Sequence, residues 1–213
     1  ARLEAGLVER EVEARLLLLA VVGGEHLLLL GPPGTAKSEL CRRLSKTAEL
    51  SFFERTLTRF STPEELFGPL SLSALERDEF QRATKGYAPE AELIFLDEIF
   101  KANSAILNTL LTLLNERLFD QGATRLPSPL ISAVAASNEG PESEELDALY
   151  DRFLLRRLVM PVSDDGVMQL LLQSGEVGAD AGAHAGADAK AVQEEEVRGD
   201  AVPFDEALEV VRA

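Results

Sequence analysis

Two groups of residues, about sixty positions apart, have the types and spacing to handle a polyphosphate. The first is Gly31-Pro32-Pro33-Gly34-Thr35-Ala36-Lys37-Ser38, a Gly/Pro-rich turn that ends in a lysine and a hydroxyl. Backbone N–H groups of such a turn, backed by the positive end of a following helix, cradle phosphate oxygens. Lys37 is then placed to reach the β- and γ-phosphates, and Ser38 to ligate Mg²⁺. The second group is Asp97-Glu98, directly after the apolar run Leu93-Ile94-Phe95-Leu96. Asp97 is expected to hold Mg²⁺, directly or through water, and Glu98 to orient and deprotonate an attacking water. Taken singly, the first could be an exposed turn with an incidental lysine and the second two solvated carboxylates. Their occurrence in one chain favours a shared nucleotide site.

The loop departs from the usual pattern, which has glycine immediately before the lysine, where this chain has Ala36. An alanine there is compatible with the loop if residue 36 has a negative φ, as in a first helical turn. Two further residues are candidates on position. Asn138 ends an apolar segment, and its amide can share the water or the γ-phosphate with Glu98, although an Asn at a strand end is also an ordinary turn residue. Arg152, between Asp151 and Phe153, is either a local ion-pair partner or a guanidinium aimed at a neighbour's γ-phosphate. Arg156 and Arg157 are close enough to compete for that role.

The elements that must position these residues follow from periodicity. Residues 3–22 carry Leu3, Leu7, Val8, Val12, Leu16, Leu19 and Val22 at helical spacing, and Gly23-Gly24 ends the pattern. Leu27 to Leu30 is a buried strand feeding the loop, and Glu39 to Leu44 continues as a helix. Alternation at Phe53, Arg55, Leu57 and Arg59 predicts a second strand. Thr62-Pro63-Glu64-Glu65 predicts a helix start with Pro63 at the first position and Glu65 closing a capping box. Gly68-Pro69 stops that helix. Residues 70–91 lack a helical stripe and read as an insertion, with hairpin character. Asn103 is expected to cap a helix with the stripe Ile106, Leu107, Leu110, Leu111, Leu114 and Leu118. Asp120-Gln121-Gly122 turns a second small hairpin within residues 118–129, kept at an edge by Pro127 and Pro129. Strands over 130–136 and 154–160, separated by a short helix near 144–150, complete the series. Strands alternating with helices predict an α/β fold with a parallel sheet covered on both faces, so that both phosphate-handling groups meet at the carboxyl edge.

At 213 residues the chain can bury one sizeable core with a small appendage. No run of about 18 apolar residues is present, so no membrane span is expected, and no secretory signal is visible. The chain begins with Ala1 rather than a methionine, as a processed chain or a fragment would. The single cysteine, Cys41, can form no internal disulfide, which suits the cytoplasm or another reducing compartment such as an organelle stroma, not secretion. The net charge of −16 disfavours nucleic acid as a partner. Residues from Pro161 onward hold 12 acidic and 3 basic side chains. Within them, Val167 to Leu172 reads as a helix, Gly175 to Lys190 as disordered, and the stretch after Pro203 as an amphipathic helix. The expected division is therefore a nucleotide-binding core over 1–162, including an N-terminal helix over 1–24, and an acidic, partly disordered remainder over 163–213.

Six blocks in order resemble the AAA+ ATPases, and within them the MoxR branch, especially RavA-like regulatory ATPases. They are Gly31 to Ser38, Thr58 to Leu70, Phe95 to Ala102, Ile106 to Leu111, Ala136 to Glu139 and Ala148 to Phe153. The branch commonly carries alanine at the position of Ala36. The resemblance implies a P-loop NTPase fold of three α/β/α layers. In it Lys37 and Ser38 match the Walker A residues, Asp97 and Glu98 the Walker B pair, Asn138 sensor 1, and Arg152 the arginine finger. Gly6-Leu7-Val8-Glu9-Arg10 looks like the segment that packs near adenine. Leu7 and Val8, with Gly31, Pro32, Pro33, Gly34, Thr35, Ala36, Lys37, Ser38 and Glu39, are thus the expected nucleotide-binding set. The cofactors implied are ATP and Mg²⁺. The insertions correspond to those facing the pore of a hexameric ring, and family members often act with a protein bearing a von Willebrand A domain in chaperone-like remodelling. The family's helical lid, with its sensor 2 arginine, has no counterpart in the low-complexity tail, where Arg198 and Arg212 remain, so an incomplete or absent lid is expected. The functions implied are ATP hydrolysis coupled to remodelling of a protein partner. The alternatives are a non-hydrolysing, nucleotide-dependent scaffold and a DNA-acting AAA+ motor.

Overall fold

The computed structural model describes Leu3 and residues 6–180. Helix α1 (Glu11–Gly23) leads to strand β1 (Leu27–Leu30), helix α2 (Lys37–Thr47) and strand β2 (Phe52–Thr56). Two short helices, α3 (Pro63–Phe67) and α4 (Leu72–Leu75), precede β3 (Leu93–Asp97) and α5 (Ser104–Glu116). A hairpin of β4 (Leu118–Gln121) and β5 (Thr124–Pro127) follows, then β6 (Ser132–Ser137), α6 (Glu144–Tyr150), β7 (Leu155–Leu158) and α7 (Asp164–Asp180).

Five strands form a parallel sheet in the order β2-β3-β6-β1-β7. The continuous apolar runs of β1 and β3 divide by alternation between two cores, as strands covered on both faces require. Leu28, Ile94, Leu96, Ala133 and Ala135 face a core shared with α3, α5 and α6. Leu27, Leu29, Leu93, Phe95, Val134 and Ala136 face the other, against α1 and α2. The result is the expected three-layer α/β/α arrangement. From β1 the chain crosses to β2, returns through β3 and β6, and then passes to β7 on the other side of β1. The carboxyl ends of β1, β6 and β3 therefore share an edge at a topological switch point, where ligands of open parallel sheets bind.

Several local expectations are met by side-chain chemistry. Asn103 caps α5 by accepting a hydrogen bond from Ile106 N–H at 3.2 Å. Gly24 closes α1 in the left-handed conformation. Pro63 starts α3, and the β4–β5 turn places Gly122 at φ +61°.

Others are corrected. Helix α1 starts at Glu11 rather than near residue 3, because Gly6 and Glu9 have φ of +72° and +58°, which no right-handed helix tolerates. Its buried face is Ala14, Leu17, Ala20 and Val21, while Val12 and Leu19 are 46% and 56% exposed. The consecutive leucines 16–19 permit more than one facing, and the small Ala14 and Ala20 select the closest approach. The capping box at α3 does not form: Thr62 makes no side-chain cap, and Glu65 lies 4.0 Å from Arg55 instead. The insertion at 70–91 is mostly irregular, with one antiparallel bridge between Leu70 and Arg82 and the short α4. Gly68 is required there, since a Cβ would sit 2.0 Å from the Ala83 carbonyl oxygen. Residues 175–180, expected to be disordered, continue α7. The remaining expectations for the tail, including the helix after Pro203 and the positions of Arg198 and Arg212, lie outside the described residues.

Candidate active site

Strand β1 delivers the phosphate loop through Gly31, whose N–H bonds Ser137 O at 2.9 Å. A Cβ at residue 31 would meet the Val159 carbonyl oxygen at 2.2 Å, so glycine is needed for the close passage of the chain after β7. The loop then turns into α2, with Lys37 as the first helical residue. Ala36 has φ +61° and ψ +22° and is left-handed, contrary to the negative φ that would have made alanine harmless. The loop keeps the conformation that glycine usually supplies, and the alanine stores about 1–2 kcal/mol of backbone strain.

Lys37 is buried, and its ammonium donates to Gly31 O at 2.9 Å and Pro32 O at 2.8 Å, with Thr35 Oγ1 at 3.3 Å. Burial pulls its pKa below the ordinary lysine value, Asp97 and Glu98 oppose that shift, and Arg10 adds to it. The parallel pairing of β1 and β3 with β6 sets the loop that carries Lys37 and the Asp97-Glu98 pair at the same edge of the sheet. Asp97 Oδ1 accepts the Glu98 N–H at 3.0 Å. The Ser38 hydroxyl carries no hydrogen bond among the described residues. One hydroxyl and one carboxylate, without thiol or imidazole, form a hard-oxygen donor pair. Such a pair fits Mg²⁺, which takes its remaining ligands from phosphates and water. No cluster of three or more His, Cys, Asp or Glu suited to a metal occurs among the described residues.

Two clefts flank the loop. One, of about 300 Å³, lies between Leu7 and Val8, the outer loop residues Pro33 to Ala36, and Leu170 of α7. It brings the two residues expected near adenine against the phosphate loop. The other lies between Gly31 to Pro33 and Asn138 to Gly140, which places Asn138 beside the start of the loop. Glu39 stands apart from both clefts, its carboxylate bound to Arg43 at 2.9 Å and Arg42 at 3.4 Å along α2.

Arg152 lines neither cleft; it is exposed, and its guanidinium has no hydrogen bond or ion pair among the described residues. Its two competitors are engaged. Arg156 donates to Phe153 O at 2.9 Å and lies 3.9 Å from the Tyr150 ring centre, while Arg157 pairs with buried Glu13 at 3.0 Å.

Three contributors were not singled out by sequence. Arg10 is buried and donates to Thr35 O at 3.0 Å, Met160 O at 2.9 Å and Glu9 O, tying the loop to the chain before α1 and after β7. Glu9 accepts the Ser163 N–H at 2.8 Å and the Ser163 hydroxyl, fixing the start of α7. Lys101 lies 3.2 Å from Glu98 Oε2. Glu9 and Arg10 lie in the segment Gly6 to Arg10 that the resemblance set near adenine, where only Leu7 and Val8 were expected to bind.

A family model described as the MoxR domain in the MoxR-vWA-beta-propeller ternary systems matches residues 1–199. The chain belongs to the MoxR branch of AAA+ ATPases. Two uncharacterised proteins of Methanocaldococcus jannaschii are each 49% identical over 158 residues, or 74% of this chain and 42% of theirs. Structural protein ORF618 of Acidianus two-tailed virus is 30% identical over 75% of this chain and 27% of its own. This MoxR chain thus spans less than half the length of the curated relatives it matches. Among solved structures, a Cytophaga hutchinsonii protein described as a candidate ATPase superposes with a TM-score of 0.65 and 22% identity, covering 82% of this chain and 53% of its own. The Thermotoga maritima RuvB Holliday junction branch migration motor gives 0.54 and 16%, covering 81% and 52%. At these identities the two neighbours speak to the fold, which is that of a P-loop ATPase. No helix among the described residues of this MoxR domain is long and apolar enough to cross a membrane.

Proposed function

We propose that this MoxR domain binds ATP with Mg²⁺ and hydrolyses it as one subunit of a hexameric ring that remodels a protein partner. The observation that carries this reading is the convergence of the Gly31–Ser38 loop and Asp97-Glu98 on the carboxyl edge of the sheet, at the ends of β1 and β3 on either side of β6. In this reading the Lys37 ammonium exchanges the Gly31 and Pro32 carbonyls for β- and γ-phosphate oxygens. Ser38 and Asp97 hold the Mg²⁺, which neutralises charge on the phosphates when bound. Asn138 and Glu98 orient the attacking water, and Glu98 takes its proton. Leu7 and Val8 pack against the base in the cleft beside the loop.

Arg152 is the finger we assign in trans, because Arg156 and Arg157 are held within their own chain while the Arg152 guanidinium has no partner among the described residues. The nature of the matching family supports a partner with a von Willebrand A domain. The core over 1–162, the RavA-like assignment within the branch, and residence in the cytoplasm or another reducing compartment belong to the same proposal. The last rests on the single cysteine, Cys41, which is free and buried.

The test is specific ATPase activity measured against protein concentration. Activity should rise with assembly and be lost in Arg152→Ala at unchanged nucleotide binding. Turnover independent of concentration, or undiminished in Arg152→Ala, counts against a shared site. ATP binding without turnover at any concentration would favour a nucleotide-dependent scaffold.

A further inference from the structure

The turn after β3 is built around Glu98, a residue with φ +55° and ψ +44°. Its N–H is held by Asp97 Oδ1 at 3.0 Å, and its carbonyl accepts the Lys101 N–H at 2.9 Å. Its side chain is only 19% exposed. Oε2 is buried and is the one such side-chain atom without a hydrogen-bond partner among the described residues. The ammonium of Lys101, three residues on, lies 3.2 Å from that oxygen as an ion pair, without the angles of a hydrogen bond. Oε1 carries no hydrogen bond among the described residues.

A buried carboxylate oxygen without a hydrogen-bond donor is costly, so the charge of Lys101 sets where Oε2 rests. The other oxygen is thereby left for chemistry. We propose that Lys101 is a positioning residue for Glu98: it tethers the carboxylate through Oε2 and presents Oε1 to the attacking water. The inference rests on Glu98 acting as the base of an ATPase. Lys101 touches neither nucleotide nor water in this role; it acts through Glu98. Misplacing a catalytic group by about 1 Å costs on the order of 10²-fold in rate, whereas substrate affinity, set by the loop at residues 31–38, should not depend on Lys101.

The experiment compares Lys101→Met, which keeps the aliphatic stem without the charge, with Lys101→Arg, which restores a cation, in the full chain under conditions of assembly. Lys101→Met should lower kcat at least about tenfold, with KM for ATP, nucleotide affinity and Tm unchanged, and Lys101→Arg should recover most of the loss. A kcat for Lys101→Met within twofold of wild type, or above it, overturns the proposal. So does a fall matched by losses in affinity and Tm, which would mark a structural residue. Wild-type protein that turns over no ATP refutes the hydrolysis reading itself, and this role of Lys101 with it. That result is distinct from an active wild type with an indifferent Lys101→Met.

Discussion

His26 makes acid stability a quantitative probe of the edge of the sheet opposite the site. Its Nδ1 accepts the Ala133 N–H at 3.0 Å, so the neutral ring carries its proton on Nε2 and donates it to Leu114 O at 3.1 Å. Arg117 Nη1 sits 2.7 Å from that same Nε2 and itself donates to Leu114 O at 2.9 Å. Protonating the ring would cost the Ala133 bond and set a cation against a guanidinium. Burial pushes the His26 pKa from the usual 6.5 down to about 4, against a smaller upward pull from the hydrogen bond to Leu114 O, and the charge of Arg117 adds a still smaller downward push. Between those values the unfolded chain binds a proton that the folded chain refuses. Stability from this group is therefore complete above about pH 6.5 and is lost as pH falls toward 4. Linkage gives a loss of about 2 kcal/mol at pH 5 and about 3 kcal/mol at pH 4. Urea melts of wild type and His26→Gln at pH 7.5 and pH 5 isolate the effect, because other titrating groups cancel in the difference. The wild type should lose about 2 kcal/mol more than the variant over that interval. Equal losses would refute the neutral, buried assignment of His26.

Two further outcomes follow from the loop. Ala36→Gly should relieve the left-handed strain and raise stability by up to about 1 kcal/mol, or roughly 2–4 °C in Tm for a domain of this size; a lower Tm would contradict the observed φ. Arg10→Met should cost about 2–4 kcal/mol by leaving carbonyls of three segments without their charged donor. It should also weaken ATP binding at temperatures well below unfolding, and unchanged affinity would show that Arg10 braces the fold without positioning the loop.

The layers, and the sheet edge at which the phosphate loop and Asp97-Glu98 lie, were legible where one local signal dominated. The runs Leu27 to Leu30 and Leu93 to Leu96 could only be buried strands in this setting, and Asn103 and Pro63 declared their helix starts through their own chemistry. The register of α1 was not legible, since four successive leucines fit several faces and the choice falls to the small residues at 14 and 20. The left-handed Ala36 was hidden because an alanine by type favours negative φ, whereas residue 36 takes φ +61° at the start of α2. Arg10 and Lys101 were hidden for a different reason. A charged residue is assumed solvated unless its partners are known, and theirs are carbonyls at residues 35 and 160 in one case and a strained glutamate in the other.

Calorimetric titration of ATP, with Mg²⁺ present, into the full chain and into Lys37→Ala tests the nucleotide site most directly. Saturable binding to the wild type that disappears in Lys37→Ala, with the variant still folded, is the expected result. Equal binding by both proteins, or none by the wild type, would contradict the assignment of Gly31 to Ser38 as a phosphate-binding loop.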